Sequence, residues 1–299
     1  MQKASFFSGT TKIAAIIEIP DTHEKEVPCV IFCHGYTSYR DEFGAFPRIS
    51  EVLCKNGIGT FRFDFRGCGE STGNYSRGRM LCGTEWIEDI YNAYQYVKTM
   101  SWVDKDSIIL LGVSMGGAAV LSSLKILKGI KKAIAVAPVN NGHEWMKGLW
   151  LKHSGENGWR KFLTNLDEKM KNRVMSGVDE SIGVNEVLAF SQEDYDVFIN
   201  NTKQYPLSTA YATWSSAEEI IYRVNTTREL LSSTNPIPVL FIHGTGDTLV
   251  PYKDTESMHQ AYLFKKKLIL LKNKTHGLLL DNNIRALIEE LLQWIKTDY

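Results

Sequence analysis

The stretch Ile108-Ile109-Leu110-Leu111-Gly112-Val113-Ser114-Met115-Gly116-Gly117, followed by AAVLSSLKIL over 118–127, decides how this chain folds. Residues 108–111 form a short apolar run with two β-branched members, the pattern of a buried parallel strand. Residues 118–127 read as a helix. Strand, G-x-S-x-G, helix is the context that makes a short match a nucleophile elbow, with the serine on a strained turn and its hydroxyl clear of the sheet edge. Glycines at 112 and 116 lack a Cβ and leave room for the turn and for a close helix–strand approach.

On either side of the elbow the same alternation recurs. Residues 27–33, 58–65, 132–137, 236–243 and 267–271 read as strands, and 4–8 with 11–19 as an antiparallel hairpin around Gly9-Thr10. Helical periods run over 42–56, 85–99, 252–264 and 283–297; the first stops at Asn56-Gly57, and Pro251 opens the third. Strands alternating with helices give an α/β fold with a doubly wound, mainly parallel sheet. The core is expected to comprise 1–138 and 234–299.

Between them the rhythm breaks. About 95 residues, 139–233, are too many for a loop and read as an inserted, mostly helical cap at the carboxyl edge of the sheet, where open α/β folds bind ligands. Its apolar positions, Trp145, Met146, Leu149, Trp150, Trp159, Phe162, Leu163 and Leu166, recur at helical spacing. Aromatic and methionine side chains there suit a roof over an acyl or aromatic group.

A serine hydroxyl is a poor nucleophile until an imidazole takes its proton, and a carboxylate must fix that imidazole's tautomer. With an elbow serine, the acid and the histidine are expected in that order, each just after a strand. Asp247 follows the strand ending at His243, in Gly244-Thr245-Gly246-Asp247-Thr248-Leu249-Val250-Pro251, and His276 follows the strand over 267–271. Asp254 and Asp281 are rival acids that read better as surface or helix-start residues. His34 and His243 end strands before glycines and are expected to be structural, and His23, His143, His153 and His259 show no metal-ligand spacing. Acyl transfer needs donors for an oxyanion. The backbone N–H of Met115 is one candidate, and that of Tyr36, in the loop His34-Gly35-Tyr36-Thr37, is the second.

Composition bounds the rest. Among 299 residues, 43% are hydrophobic and 23% charged, as in globular proteins. Lysine plus arginine equals aspartate plus glutamate, 34 against 34, so no charge excess points to nucleic acid or an anionic membrane. No run approaches the length of a membrane span, and the N-terminal stretch lacks a signal-peptide core. Five cysteines, at 29, 33, 54, 68 and 82, form no C-x-x-C pair and read as reduced, buried thiols of a cytoplasmic protein.

The set His34-Gly35-Tyr36-Thr37, Asp64-Phe65-Arg66-Gly67-Cys68-Gly69-Glu70-Ser71, Gly112-Val113-Ser114-Met115-Gly116-Gly117, the segment around Asp247, and Thr275-His276-Gly277 resembles the α/β-hydrolase superfamily. It is most similar to bacterial cinnamoyl/feruloyl esterases and related carboxylesterases. The resemblance implies hydrolysis of carboxylic esters by a Ser114–His276–Asp247 triad, with no cofactor or metal and a small-molecule ester as partner. It also implies that Arg66 braces a loop near the site. The elbow is shared with monoacylglycerol lipases and carbon–carbon bond hydrolases, and thioesters are a close variant. A non-catalytic ligand-binding module on the same fold is the second class, because fold alone does not set function. The natural acid and alcohol and the oligomeric state stay open.

Overall fold

In a computed structural model, residues 1–22, 24–71, 77–281 and 284–297 are described. His23, and Asn283 at the expected start of the last helix, lie outside them. Eight strands form one sheet: β1 (Gln2–Ser8), β2 (Thr11–Glu18), β3 (Val27–Cys33), β4 (Gly59–Phe63), β5 (Val103–Val113), β6 (Ile130–Val136), β9 (Val239–Gly244) and β10 (Lys266–Leu271). Their spatial order is β1-β2-β4-β3-β5-β6-β9-β10. The β1–β2 and β2–β4 pairs are antiparallel, and the pairs from β4 through β10 are parallel. Burial on both faces explains the near-continuous apolar runs of β3 and β9; β4 and β6 are buried as well but carry Thr60, Arg62 and Lys132 inside, while β10 at the edge is only half-buried.

Helices cover both faces. On one lie α1 (Ala45–Lys55) and α10 (Arg285–Lys296), packing Phe46, Ile49 and Leu53 with Leu287, Leu291 and Trp294. On the other lie α2 (Glu85–Lys98), α3 (Met115–Ser123) and α9 (Tyr252–Ala261), through Trp86, Ile90, Val120, Leu121 and Met258.

The chain steps from β3 to β4 on one side, then returns to place β5 on the other side of β3. That reversal opens a crevice at the carboxyl ends of β3 and β5. Register keeps the strand ends level: Cys33 sits opposite Gly112, Val113 opposite Val136, Val136 opposite Ile242, and Gly244 opposite Leu271. The loops after β3, β5, β9 and β10 therefore emerge along one edge.

Several element ends differ from expectation, each for a local reason. The helix expected over 42–56 is a 3-10 turn at Glu42–Gly44 followed by α1 from Ala45. Pro47 has no N–H to give to the carbonyl of Phe43, so the α-helix cannot reach back through it. The strand expected from 236 begins at Val239, because Pro236 and Pro238 cannot donate to a ladder. Conversely, β5 runs from Val103, well before 108, since Val103 pairs with Val27.

Between β6 and β9 lie α4 (Gly142–Ser176), β7 (Ser181–Gly183), α5 (Val184–Leu188), α6 (Gln192–Gln204), β8 (Tyr211–Thr213), α7 (Trp214–Arg223) and α8 (Thr226–Ser232). Gly155 (φ 68°, ψ 179°) breaks α4 into two arms. β7 and β8 pair antiparallel in a small second sheet. Trp150 and Trp159 pack on Phe162, which stacks on Trp214, so these aromatics hold the segment to itself. At its far end α8 lies against α3 and α9.

Candidate active site

Ser114 sits between the end of β5 and the start of α3 with φ 54° and ψ −121°, a conformation that L side chains rarely adopt. Its N–H donates to the Val136 carbonyl, and its own carbonyl accepts from Ala118, which ties the turn to both flanking elements. The neighbouring glycines are needed for space. A Cβ on Gly112 would lie 2.4 Å from the Gly116 carbonyl oxygen, and one on Gly116 would lie 2.2 Å from that of His34. Any side chain at either position would push α3 off the sheet.

The register of the sheet brings the three separated residues together. His276 Nε2 is 3.0 Å from Ser114 Oγ, and its Nδ1 is 2.7 Å from Asp247 Oδ2. With the carboxylate facing Nδ1, the proton resides there and Nε2 is left to accept from the serine. Asp247 Oδ1 accepts from the N–H groups of Leu249 and Val250, both at 2.9 Å. Its Oδ2 is also 3.0 Å from His243 Nε2. Burial raises the Asp247 carboxyl, but the His276 charge and these donors outweigh it and hold the group well below the ordinary carboxylate range. For His276, burial opposes the charged ring, yet the charge and hydrogen bond of Asp247, with Glu42 further off, raise its pKa above the ordinary 6.5. Asp281 instead pairs with Lys274, and Asp254 lies in the first turn of α9, so neither rival acid reaches the imidazole.

His243 has a role beyond ending β9. Its Nε2 faces two acceptors, Asp247 Oδ2 and the Val250 carbonyl, so that nitrogen carries the proton, and Nδ1 accepts from the Thr255 hydroxyl at 2.6 Å. Its position four residues before Asp247 was the only sequence signal of that contact. His34 is structural, as expected. Its Nδ1 donates to the Gly35 carbonyl, its Nε2 accepts from Phe65 N–H, and burial pushes its pKa down to about 3, which keeps the ring neutral.

Tyr36 borders the cavity in front of Ser114, while its ring joins the core with Cys68 and Cys82. Met115 has its side chain buried and supplies the first N–H of α3, one of the four at a helix start with no intrahelical acceptor. If the Tyr36 N–H is an oxyanion donor, Tyr36→Pro is expected to lower kcat by 10²–10³ (on the order of one lost donor) relative to Tyr36→Ala, with KM changed less. Both variants lose the buried ring, so steady-state kinetics on the pair, with melting curves as a control, isolates the N–H. Equal rates would remove that donor from the site.

The loop holding Tyr36 is braced by Glu42, which the sequence did not single out. Glu42 Oε2 accepts from Gly35 N–H at 2.7 Å, and the residue is buried at φ 44° in the turn before α1. Arg66 braces the neighbouring loop: Nε donates to Asp89 Oδ1 at 2.7 Å, and the guanidinium also reaches Glu88 and the Glu85 carbonyl. Burial raises Asp89, but Arg66 opposes that and keeps a partner on each side.

The cavity measures about 390 Å³. Its floor is formed by Gly35, Tyr36, Thr37, Ser114 and His276, and its far wall comes from the segment between β6 and β9: Trp145, Val184, Leu188, Phe190, Glu193, Asp194, Val197, Phe198 and Asn201. Of the four tryptophans in that segment only Trp145 borders the cavity, with Nε1 donating to the Leu249 carbonyl. The aromatic roof expected from the sequence is thus carried by phenylalanines and aliphatic residues. All five cysteines are free. Among the described residues, no group of three or more His, Cys, Asp or Glu side chains could hold a metal ion, and no helix is long and apolar enough to cross a membrane.

An uncharacterized 31.7 kDa protein in the traX-finO intergenic region of Escherichia coli is 28% identical over 195 residues, 65% of this chain and 64% of its own length. The match thus spans just under two thirds of that relative. Among solved structures, the α/β hydrolase GrgF from Penicillium sp. sh18 has a TM-score of 0.80 at 16% identity, covering 99% of this chain and 97% of that one. Est1E from Butyrivibrio proteoclasticus, with ferulic acid bound, has a TM-score of 0.68 at 18% identity, covering 98% and 97%. At such identities these two establish the fold. Residues 24–283 match a hydrolase family, and on that match the chain belongs to Hydrolase_4, the family described as serine aminopeptidase, S33.

Proposed function

We propose that the protein hydrolyses carboxylic esters through an acyl-enzyme formed on Ser114. The observation that carries this reading is the continuous chain from Ser114 Oγ through both nitrogens of His276 to Asp247 Oδ2. His276 takes the serine proton as Oγ attacks the ester carbonyl, and the resulting oxyanion is met by the N–H groups of Met115 and Tyr36. The imidazolium then returns its proton to the departing alcohol. A water molecule, deprotonated by the same ring, releases the acid. No cofactor takes part in these steps.

In this reading 139–233 acts as a cap that selects the acyl or aryl group, since one wall of the cavity is built from it. Short-to-medium acyl and hydroxycinnamoyl esters suit a cavity of about 390 Å³ lined by Val184, Leu188, Phe190 and Phe198. Ferulic acid in the structurally similar Est1E supports the aromatic choice. Five free thiols favour a cytoplasmic setting.

The test is a panel of nitrophenyl and methyl esters of butyrate, hexanoate, dodecanoate and ferulate, assayed for burst release and steady-state turnover. A burst stoichiometric with the protein is expected, with preference for acids that fit the cavity. Phe198→Ala is expected to change the ranking of acids more than the rate on butyrate. No turnover of any ester would overturn the reading, and an unchanged ranking would remove the cap from it.

A further inference from the structure

The charges around the cavity are all of one kind. Among the described residues that line it, the carboxylates are Glu42, Glu193 and Asp194, the other ionisable groups are His276 and Tyr36, and there is no lysine or arginine. Lys274, next to the lining residue Thr275, pairs with Asp281, and Arg40, two residues before Glu42, pairs with Asp64 and Glu70; Lys147 and Lys203, each two residues from a lining position, do not line the cavity themselves. His276 must be neutral to act as a base, so it offers no standing positive charge.

Glu42 stands closest to the chemistry. A Cβ on Gly35 would lie 3.3 Å from Glu42 Oε1 and 3.4 Å from Ser114 Cβ, so the carboxyl and the nucleophile flank one glycine. Its other oxygen is occupied by Gly35 N–H. Burial pushes this carboxyl up to about 7, against the Gly35 bond, Ser38 and the His276 charge, so it is an anion in mildly alkaline solution. Glu193 and Asp194 stand at the start of α6, where the helix end offsets part of their charge. An anionic group entering this space would be stripped of water, find no cation, and meet carboxylates of its own sign.

We propose that the pocket selects uncharged or cationic acyl donors and rejects anionic ones, with Glu42 as the main specificity-determining residue for charge. The inference rests on the ester-hydrolase reading and narrows it. Half-esters of dicarboxylic acids and thioesters of coenzyme A, whose phosphates would meet Glu193 and Asp194 at the mouth, fall outside the substrate range. Simple neutral esters and thioesters stay within it.

Two matched pairs test this at pH 8 on the full chain. p-Nitrophenyl hexanoate and mono-p-nitrophenyl adipate differ by a terminal carboxylate, and butyryl-N-acetylcysteamine and butyryl-coenzyme A share acyl group and thioester. The expected result is a kcat/KM about 100-fold lower for the anionic member of each pair, as for an unpaired charge taken into a closed site. The 6-trimethylammonio-hexanoate ester is expected to stay within about tenfold of hexanoate, since a cation meets only opposite charge. Glu42→Gln should narrow the adipate gap several-fold, and Glu193→Gln with Asp194→Asn the coenzyme A gap. Calorimetry of the adipate and hexanoate esters on Ser114→Ala reads the same discrimination without turnover. Equal binding, or an adipate rate within threefold of hexanoate, overturns the inference. Discrimination in binding with no turnover of hexanoate by the unmodified chain would uphold it and count against the ester-hydrolase reading alone.

Discussion

Ser114→Ala is expected to abolish the burst and lower kcat on a nitrophenyl ester by 10⁴–10⁶ (on the order of a lost nucleophile), while the protein stays folded. The structural cost is small because, among the described residues, Ser114 Oγ bonds only to His276 Nε2, and the turn is held by backbone bonds to Val136 and Ala118 that alanine keeps. Alanine at φ 54° carries the same backbone strain as serine, so the melting temperature should stay within a few degrees. His276→Ala should be nearly as severe, since the hydroxyl then has no base. Intact-mass measurement after an organophosphonate should find one adduct on the unmodified chain and none on Ser114→Ala. An adduct surviving in that variant would place the nucleophile at another residue.

The legibility of this chain in sequence followed a physical divide. Strands buried on both faces announce themselves as apolar runs, and β3 and β9 were readable for that reason; β4 was readable through its alternating Phe61 and Phe63, and β6 through the apolar stretch after Lys132. Their ends were not, because pairing sets them: β5 extends to Val103 only because Val27 lies beside it. The hydrogen-bonded set of Ser114, His276 and Asp247 was readable because each follows a strand within a few residues and the sheet aligns those ends.

Glu42 was hidden for the opposite reason. It reaches the site through a turn with left-handed residues at 42 and 43, which helical periodicity over 42–56 conceals. The segment 139–233 shows the same limit. Trp150, Trp159 and Trp214 share the segment's aromatic composition but each packs on Phe162, while smaller residues such as Val184 and Val197 line the cavity. Periodicity shows which side chains share a face of a helix, and only tertiary packing decides what that face meets.

Asp247→Asn is expected to lower kcat by 10³–10⁴ (on the order seen when a triad carboxylate becomes an amide), and the surroundings of the carboxyl explain why so small a change is so costly. Oδ1 accepts two N–H groups, from Leu249 and Val250, so the asparagine carbonyl oxygen must take that place. The amide nitrogen is then forced toward His276 Nδ1 and His243 Nε2, where two acceptors are needed and only donors stand. His276 escapes by moving its proton to Nε2, which leaves nothing on that nitrogen to accept from Ser114. His243 cannot adjust in the same way, because its Nε2 proton also serves the Val250 carbonyl and its Nδ1 serves Thr255. A pH profile adds an independent readout. With His276 as the proposed base, activity is expected to require the neutral ring, whose pKa Asp247 raises above 6.5, so in the unmodified chain kcat/KM should fall as pH drops through that raised value. With the carboxylate gone the imidazolium loses its support, and the acidic limb of the residual activity should move to lower pH. Full activity with an unmoved limb in Asp247→Asn would require a different acid behind His276.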